Sequence, residues 1–366
     1  MRLGVEAALV RGELVAGDVD VEDGRVIAVG LADGPRGRVA VPGFVDLQVN
    51  GYGGVDFLSA STEDYRRAGE ALLLAGVTAY QPTFITSAEA ATVEAVRALP
   101  CGGPGPHVLG AHLEGPFLSP DRPGTHPLEH LRAPDVALLD RLLDAGNVTE
   151  MTLAPELPGA DALIERLRER GVVVSAGHTN ATAAEAHVGF DLGISGLTHV
   201  FNAMRPFRSR DPGVAGAALT RPDVVVKMIV DGHHLADEAV RLVWACASGR
   251  VALITDAMSG AGTDGGTFRL GDVEVEVGAG AAPMRGDGTL AGTVLTMIDA
   301  VRNLHRLGVS FEDAVGAATT VPARFLGRDD VGVLEPGAPA DVVVLDDRLE
   351  IQTVLCAGQG DVVARD

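Results

Sequence analysis

Eight times between residues 42 and 330 an apolar run closes on a polar or proline residue and gives way to a helix-like segment. The runs end near Asn50, Thr83, Glu114, Pro155, His178, His199, Asp231 and Asp256. Short apolar runs of this kind suit strands buried on both faces, and spacings of roughly 20 to 40 residues leave room for one crossover helix each. The segment STEDYRRAGEALLLAG shows the pattern: Ser61 with Asp64 forms a helix-opening capping box, and Gly76 supplies the stop. Eight strand–helix pairs predict an α/β fold, a (β/α)8 TIM-like barrel, in which reactive groups collect at the carboxyl ends of the strands. The His, Asp and Glu residues named above fall at those ends.

The two ends of the chain follow a different period. Short alternating Val-rich stretches such as VDVEDGRVIAVG are broken at Gly24, Gly30 and Gly34, and the C-terminal GVLEPGAPADVVVLD behaves the same way. Alternation with turn residues reads as small antiparallel strands, and runs such as VVVL are too apolar to stay exposed. The expected organisation is a small β-sandwich domain formed from both termini, residues 1–41 and 333–366, beside a barrel over 42–332. Between Asp256 and a helix expected near Thr293, the alternation in FRL and VEVEV predicts a β-hairpin insertion around 262–290. Such an excursion shapes either a substrate pocket or a subunit contact.

Charge narrows the partners. A formal net charge of −21 argues against nucleic acid and against anionic membranes, which both require a basic face. Lys227 is the only lysine, so an anionic ligand would have to be met by arginine or histidine. Cys101, Cys246 and Cys356 lack ligand spacing and read as reduced thiols. The opening MRLGVEAALVRGELVAG has acidic residues where a signal peptide needs an unbroken apolar stretch, which gives a cytoplasmic expectation.

Four strings carry the chemistry: HLEGPF, GHTNAT, THVFNAM and LITDAM. Glu114, His178 and His199 offer a carboxylate and two imidazoles from strand ends, with the histidines one βα unit apart. Three such ligands leave a zinc-like ion one position for water, whereas a structural site closes its shell with four. Asp256, after VALIT, places a carboxylate across the same mouth. His112 lies two residues before Glu114 on the same face, deeper in the barrel.

With PGFVDLQVNGYGG, GTHP, DGHH and LAGT added in order, the chain resembles the N-acetylglucosamine-6-phosphate deacetylases of the amidohydrolase superfamily over essentially its whole length. The resemblance implies hydrolysis of the acetamide of N-acetylglucosamine 6-phosphate, with one divalent metal ion per subunit and usually a homodimer. It assigns Asp256 as general base and then general acid. Substrate contacts fall on Thr125 and His126 of GTHP, Asn202, Ala203, Arg210, His234, Leu290, Ala291 and Gly292. His126 would meet the carbonyl oxygen or a sugar hydroxyl, and Arg210 and His234 the phosphate, as cationic donors reaching the neighbouring subunit's site. Arg205 and Arg208 compete with Arg210. Zinc fits the ligand set, as do iron, manganese and cobalt. A galacto-configured substrate, or a barrel kept for binding alone, are the alternatives.

One departure matters. Many amidohydrolases carry His-x-His on the first strand and bind two metals through a carbamylated lysine, whereas this chain reads Gln48-Val49-Asn50. Amides are poor substitutes for imidazole, and Lys227, expected to open the seventh strand, is misplaced for the bridge. A single metal follows, with Gln48 positioning water or the substrate carbonyl and Tyr52 walling the pocket.

Overall fold

The computed structural model describes residues 1–32, 34, 36–103, 105–278 and 281–356, and the backbone of 361–364. Residues 279 and 280 of the expected insertion, and 357–360, 365 and 366 of the C-terminal range, lie outside the described residues.

The barrel strands are β1 (Phe44–Val49), β2 (Val77–Ile85), β3 (Ala111–Glu114), β4 (Val148–Leu153), β5 (Val173–Ala176), β6 (Gly196–Leu197), β7 (Val225–Met228) and β8 (Val251–Leu253). They pair in parallel in chain order. Closure between β8 and β1 comes just beyond the strand ends, through a parallel bridge of Val49 with Ala257 and the Asn50 amide donating to the Ala257 carbonyl at 2.7 Å. The expected (β/α)8 barrel is thus present.

Helices cover the outside because their apolar residues recur on one stripe. In the helix Met297–Arg306, Met297, Ala300, Val301 and Leu304 are buried, and the Thr296 side chain caps the first turn. That start is four residues later than the sequence suggested: Thr293 instead belongs to the strand-like closure, where its amide donates to the Asp256 carbonyl at 2.9 Å. The box read at Ser61 and Asp64 is formed, and the helix Thr62–Leu74 ends before Gly76, whose φ is +80°.

Strands from both ends of the chain form a six-stranded sheet in the order Glu13–Ala16, Ala7–Val10, Arg38–Pro42, Val342–Asp346, Ile351–Cys356, Asp361–Ala364. The hairpin Asp18–Glu22 with Arg25–Leu31 packs over it, and Val5, Val19, Val21, Val26, Val342 and Val344 share their own apolar core. The insertion contains an antiparallel pair, Gly266–Leu270 with Val273–Val277. Its apolar face (Leu270, Val273, Val275, Val277) packs on Ile85, Met258 and Ala291 at the rim of the barrel. The Gly271 amide at its turn donates to Asp56 Oδ2 at 2.6 Å, and Arg285 Nη1 reaches the Thr125 carbonyl at 3.4 Å. Among the described residues no helix is long and apolar enough to cross a membrane.

Lys227 does not open its strand; it is the third of the four residues of β7. Its ammonium lies fully buried 2.5 Å from Glu150 Oε1, which also accepts from Ser175 Oγ at 2.6 Å. Burying both charges is tolerable because each is paired and hydrogen-bonded. Above this pair, His112 bonds Thr152 Oγ1 at 2.8 Å and Thr83 Oγ1 at 3.3 Å, and burial pushes its imidazole down to about 4. His112 is therefore a neutral member of a polar layer beneath the barrel mouth.

Candidate active site

Glu114 ends β3, and His178 and His199 follow β5 and β6 by two residues each. The strand directions alone would aim these side chains unevenly, but His178 (φ +46°), His199 (φ +27°) and Asp256 (φ +51°) all sit in the left-handed region. This is uncommon for residues with a Cβ and clusters at functional sites. The turn it makes at each strand end swings the side chains over the mouth.

The three candidate ligand atoms converge. His199 Nε2 lies 2.9 Å from Glu114 Oε1, His178 Nε2 lies 3.2 Å from the same oxygen, and the two imidazole nitrogens are 3.1 Å apart. Ligands about 2.0–2.2 Å from a tetrahedral ion would be spaced roughly 3.3–3.5 Å, so the set has nearly the dimensions of one face of such a shell. His178 Nδ1 faces the Arg122 carbonyl at 3.1 Å. That contact makes Nδ1 the protonated nitrogen and leaves the Nε2 lone pair pointing inward, as a metal ligand requires. A Cβ at position 124 would come within 2.9 Å of the His178 ring, so only glycine, here at φ +56°, lets the loop lie against it.

The electrostatics agree. Burial would raise the Glu114 carboxyl, but contacts with His126, His178 and His199 hold it well below the usual carboxylate range. Burial pulls the His199 imidazole down, yet Glu114 outweighs it and keeps it above its ordinary value. A buried anion ringed by imidazoles matches the donor set of a divalent cation.

Asp256 shares the mouth, where the charges of Glu114 and His199 act on its carboxyl. Burial, then the charge of Glu114, raises its carboxyl above the usual range, which suits a group that must both take and return a proton. Its Oδ1 accepts from Asn50 Nδ2 at 2.7 Å and from Gln48 Nε2 at 3.2 Å. Gly292, at φ +67°, lies so close that a Cβ there would come 2.8 Å from the Asp256 carbonyl. Ala291 is fully buried beside it, and Leu290 forms a bridge with Met284.

His126 is not an outlying loop residue. Its side chain is buried, with Nε2 3.7 Å from Glu114 Oε2 and Nδ1 3.0 Å from Thr86 Oγ1. Burial, and then the proximity of His178, pushes the ring down to about 4. Asn202 folds back on the chain, Nδ2 donating to the Val200 carbonyl at 3.1 Å, and Ala203 takes φ +49° beside it. Buried polar atoms without a protein hydrogen bond gather here: Gln48 Oε1, Asn50 Oδ1, Thr125 Oγ1 and His199 Nδ1. Such orphans call for a ligand or water.

Arg205 is bound to Asp211, with Nη2 2.8 Å from Oδ2, whereas Arg208 and Arg210 are both exposed and form no ion pair among the described residues. His234 Nδ1 meets Asp231 Oδ2 at 2.7 Å, and His234 is among the groups whose charge acts on Asp256. The sequence reading had Asp231 only as a strand end. Its contacts with His234 and with the amides of residues 233 and 234 overcome burial and lower its carboxyl to about 2. Thr86 and the Arg122 carbonyl carry no signal in the sequence, and Asn50 stands there only as a strand end and as an amide in place of a ligating histidine, without a role of its own. Tyr52 is buried under Gly262 at the start of the insertion and lines a cavity with Ala71, Leu74, Thr296 and Arg302 that contains none of the candidate ligands.

A model of the amidohydrolase family matches residues 39–360. The chain is 39% identical to the N-acetylglucosamine-6-phosphate deacetylase of Homo sapiens over 95% of its own length and 92% of that protein's. It is 37% identical to the N-acetylgalactosamine-6-phosphate deacetylase of Escherichia coli O157:H7, over 87% and 86% of the two chains. A mutant N-acetyl-D-glucosamine-6-phosphate deacetylase from Mycobacterium smegmatis, solved with N-acetyl-D-glucosamine 6-phosphate, superposes with a TM-score of 0.91 at 36% identity, over 98% of each chain.

Proposed function

The chain belongs to the amidohydrolase family, and from that premise we propose that it hydrolyses N-acetylglucosamine 6-phosphate to glucosamine 6-phosphate and acetate. The observation that carries the reading is the convergence of Glu114, His178 and His199 on one point, with Asp256 near enough that Glu114 and His199 act on its charge.

Glu114, His178 and His199 would hold one divalent cation, zinc being the first choice and iron, manganese and cobalt compatible with the same donors. When bound, the cation supplies Lewis-acid polarisation and a water of lowered pKa. Asn50 and Gln48 fix Asp256 through Oδ1, leaving Oδ2 to take the proton of the attacking water. Asp256 then delivers that proton to the amide nitrogen as the C–N bond breaks, so the amine leaves neutral. Neutral His126 and the free Gln48 Oε1 line the same space, suited to the acetamide and a sugar hydroxyl. Thr125, Asn202, Ala203 and the backbone from Leu290 to Gly292 form its walls.

Arg210 and His234 take the phosphate. Arg210 lies on an exposed loop beside Phe207, itself 49% exposed, and this supports a homodimer in which Arg210 reaches the neighbouring site. We assign residues 1–41 with 333–366 and residues 42–332 as two domains, and the cytoplasm as the working compartment. The second substrate reading, N-acetylgalactosamine 6-phosphate, is favoured by the Escherichia coli relative.

The test is acetate release from gluco- and galacto-configured N-acetylated sugars and their 6-phosphates after metal reconstitution. N-acetylglucosamine 6-phosphate should give the highest kcat/KM. Higher kcat/KM on the galacto isomer would move the assignment to that sugar, and no acetate from any member would end it.

A further inference from the structure

At the opposite end of the barrel from Asp256, three residues of different chemistry meet. His107 begins the short strand His107–Val108, which pairs with the early part of β2; Asp341 immediately precedes the strand Val342–Asp346; Cys356 ends the strand Ile351–Cys356. His107 Nε2 lies 3.0 Å from Asp341 Oδ2, and these two atoms and Cys356 Sγ all fall within 4.8 Å of one another. Asp341 and Cys356 are each 2% exposed, while the His107 side chain is 35% exposed and lines a cavity of about 320 Å³ with Tyr65, Tyr80, Gly105 and Arg328.

We propose that His107, Asp341 and Cys356 form a second binding site for a soft divalent cation of the zinc type, which would clip the barrel to the terminal sheet. Imidazole, carboxylate and thiolate are the three donor types zinc takes in proteins. A tetrahedral shell of such donors has edges of roughly 3.3–3.6 Å, so a small side-chain rotation closes the set on an ion, with the fourth position open to the cavity. His107 lies over two hundred residues from Asp341 and Cys356, so an ion there ties the two sheets together. Cys356 Sγ now faces the Gly105 carbonyl at 3.4 Å. Binding would release the thiol proton to solvent, so affinity rises with pH.

The active-site ligands include no sulfur, which makes the test selective. Cobalt(II) alone is titrated into the full-length protein carrying Cys101→Ser and Cys246→Ser, so that Cys356 is the one thiol. The expected result is two ions per chain and a thiolate-to-cobalt charge-transfer absorption. Cys356→Ser should abolish that absorption and one equivalent of metal while leaving deacetylation intact. If Cys356→Ser fails to fold, His107→Gln, at a partly exposed position, should weaken the same absorption and equivalent. No charge-transfer band in the parent, or its persistence in Cys356→Ser, would overturn the proposal, and neither bears on the deacetylase reading.

Discussion

Asn50 Nδ2 lies 2.7 Å from Asp256 Oδ1, joining the first barrel strand to the last across 206 residues of sequence. An amide thus stands at the strand end where many amidohydrolases place a ligating histidine. It donates to the carboxylate, which fits the proposal that Glu114, His178 and His199 hold the cation. Asn50→Ala should lower kcat by roughly ten- to a hundredfold through loss of orientation, with KM little changed. Steady-state kinetics at saturating metal checks this; an unchanged kcat would remove Asn50 from the positioning of Asp256.

Asp256→Asn keeps the shape and both hydrogen-bond-capable atoms but cannot carry a proton. Turnover should fall by about 10²–10⁴-fold while elemental analysis still finds the ion. Near-normal turnover would transfer the acid–base role elsewhere.

Removing the ion should abolish acetate release, and re-adding zinc, manganese, cobalt or ferrous iron should restore it to different extents. Because a bound ligand stabilises only the folded state, the chelated protein should also melt several degrees lower. Glu114→Gln should reproduce both effects, since it replaces the anion that both histidines face at 2.9 and 3.2 Å. Full activity in strong chelator would eliminate metal-assisted hydrolysis.

With Arg205 already engaged by Asp211, the exposed cations left on its loop among the described residues are Arg208 and Arg210, and the proposed phosphate contact is Arg210. Arg210→Ala should raise KM for the 6-phosphate by about tenfold or more, the worth of one charge-assisted contact, and leave unphosphorylated N-acetylglucosamine unaffected. Equal losses on both sugars would place phosphate recognition at another group.

Asp46, fully buried on the first barrel strand, is pushed up to about 7 by burial, against hydrogen bonds from Thr255 and Gln48. Its folded value exceeds the unfolded one, so the native state holds the extra proton. Stability should be greatest below the unfolded value and fall as pH rises through about 7. Asp46→Asn should flatten that slope and gain roughly 1–4 kcal/mol at pH 8, read from urea unfolding at several pH values. A variant as pH-sensitive as the parent would assign the slope to other groups.

The barrel and the strand-end quartet were readable because a strand followed by a helix leaves a periodic trace, and because a polar residue closing an apolar run has few structural uses. Glu114, His178, His199 and Asp256 declared themselves that way. What stayed hidden depends on pairs distant in sequence. Nothing near Lys227 announces Glu150, 77 residues away, and GTHP does not say that its histidine folds inward onto Glu114. Asp211, whose carboxylate could have paired with any of Arg205, Arg208 and Arg210, engages Arg205 and leaves the other two exposed. Hydrophobic periodicity reports which face of an element is buried, not which polar groups meet across the barrel.

The burial of Lys227 against Glu150 has a practical corollary. With the single lysine sealed inside the barrel, no side-chain primary amine reaches solvent, so acylating reagents, aldehyde fixatives and lysine-directed transferases find no side-chain nucleophile of that kind on the folded surface. Covalent tagging or tethering through side chains runs instead through carboxylates, guanidinium groups or the exposed thiols of Cys101 and Cys246, with the amino terminus of Met1 the exposed primary amine that remains.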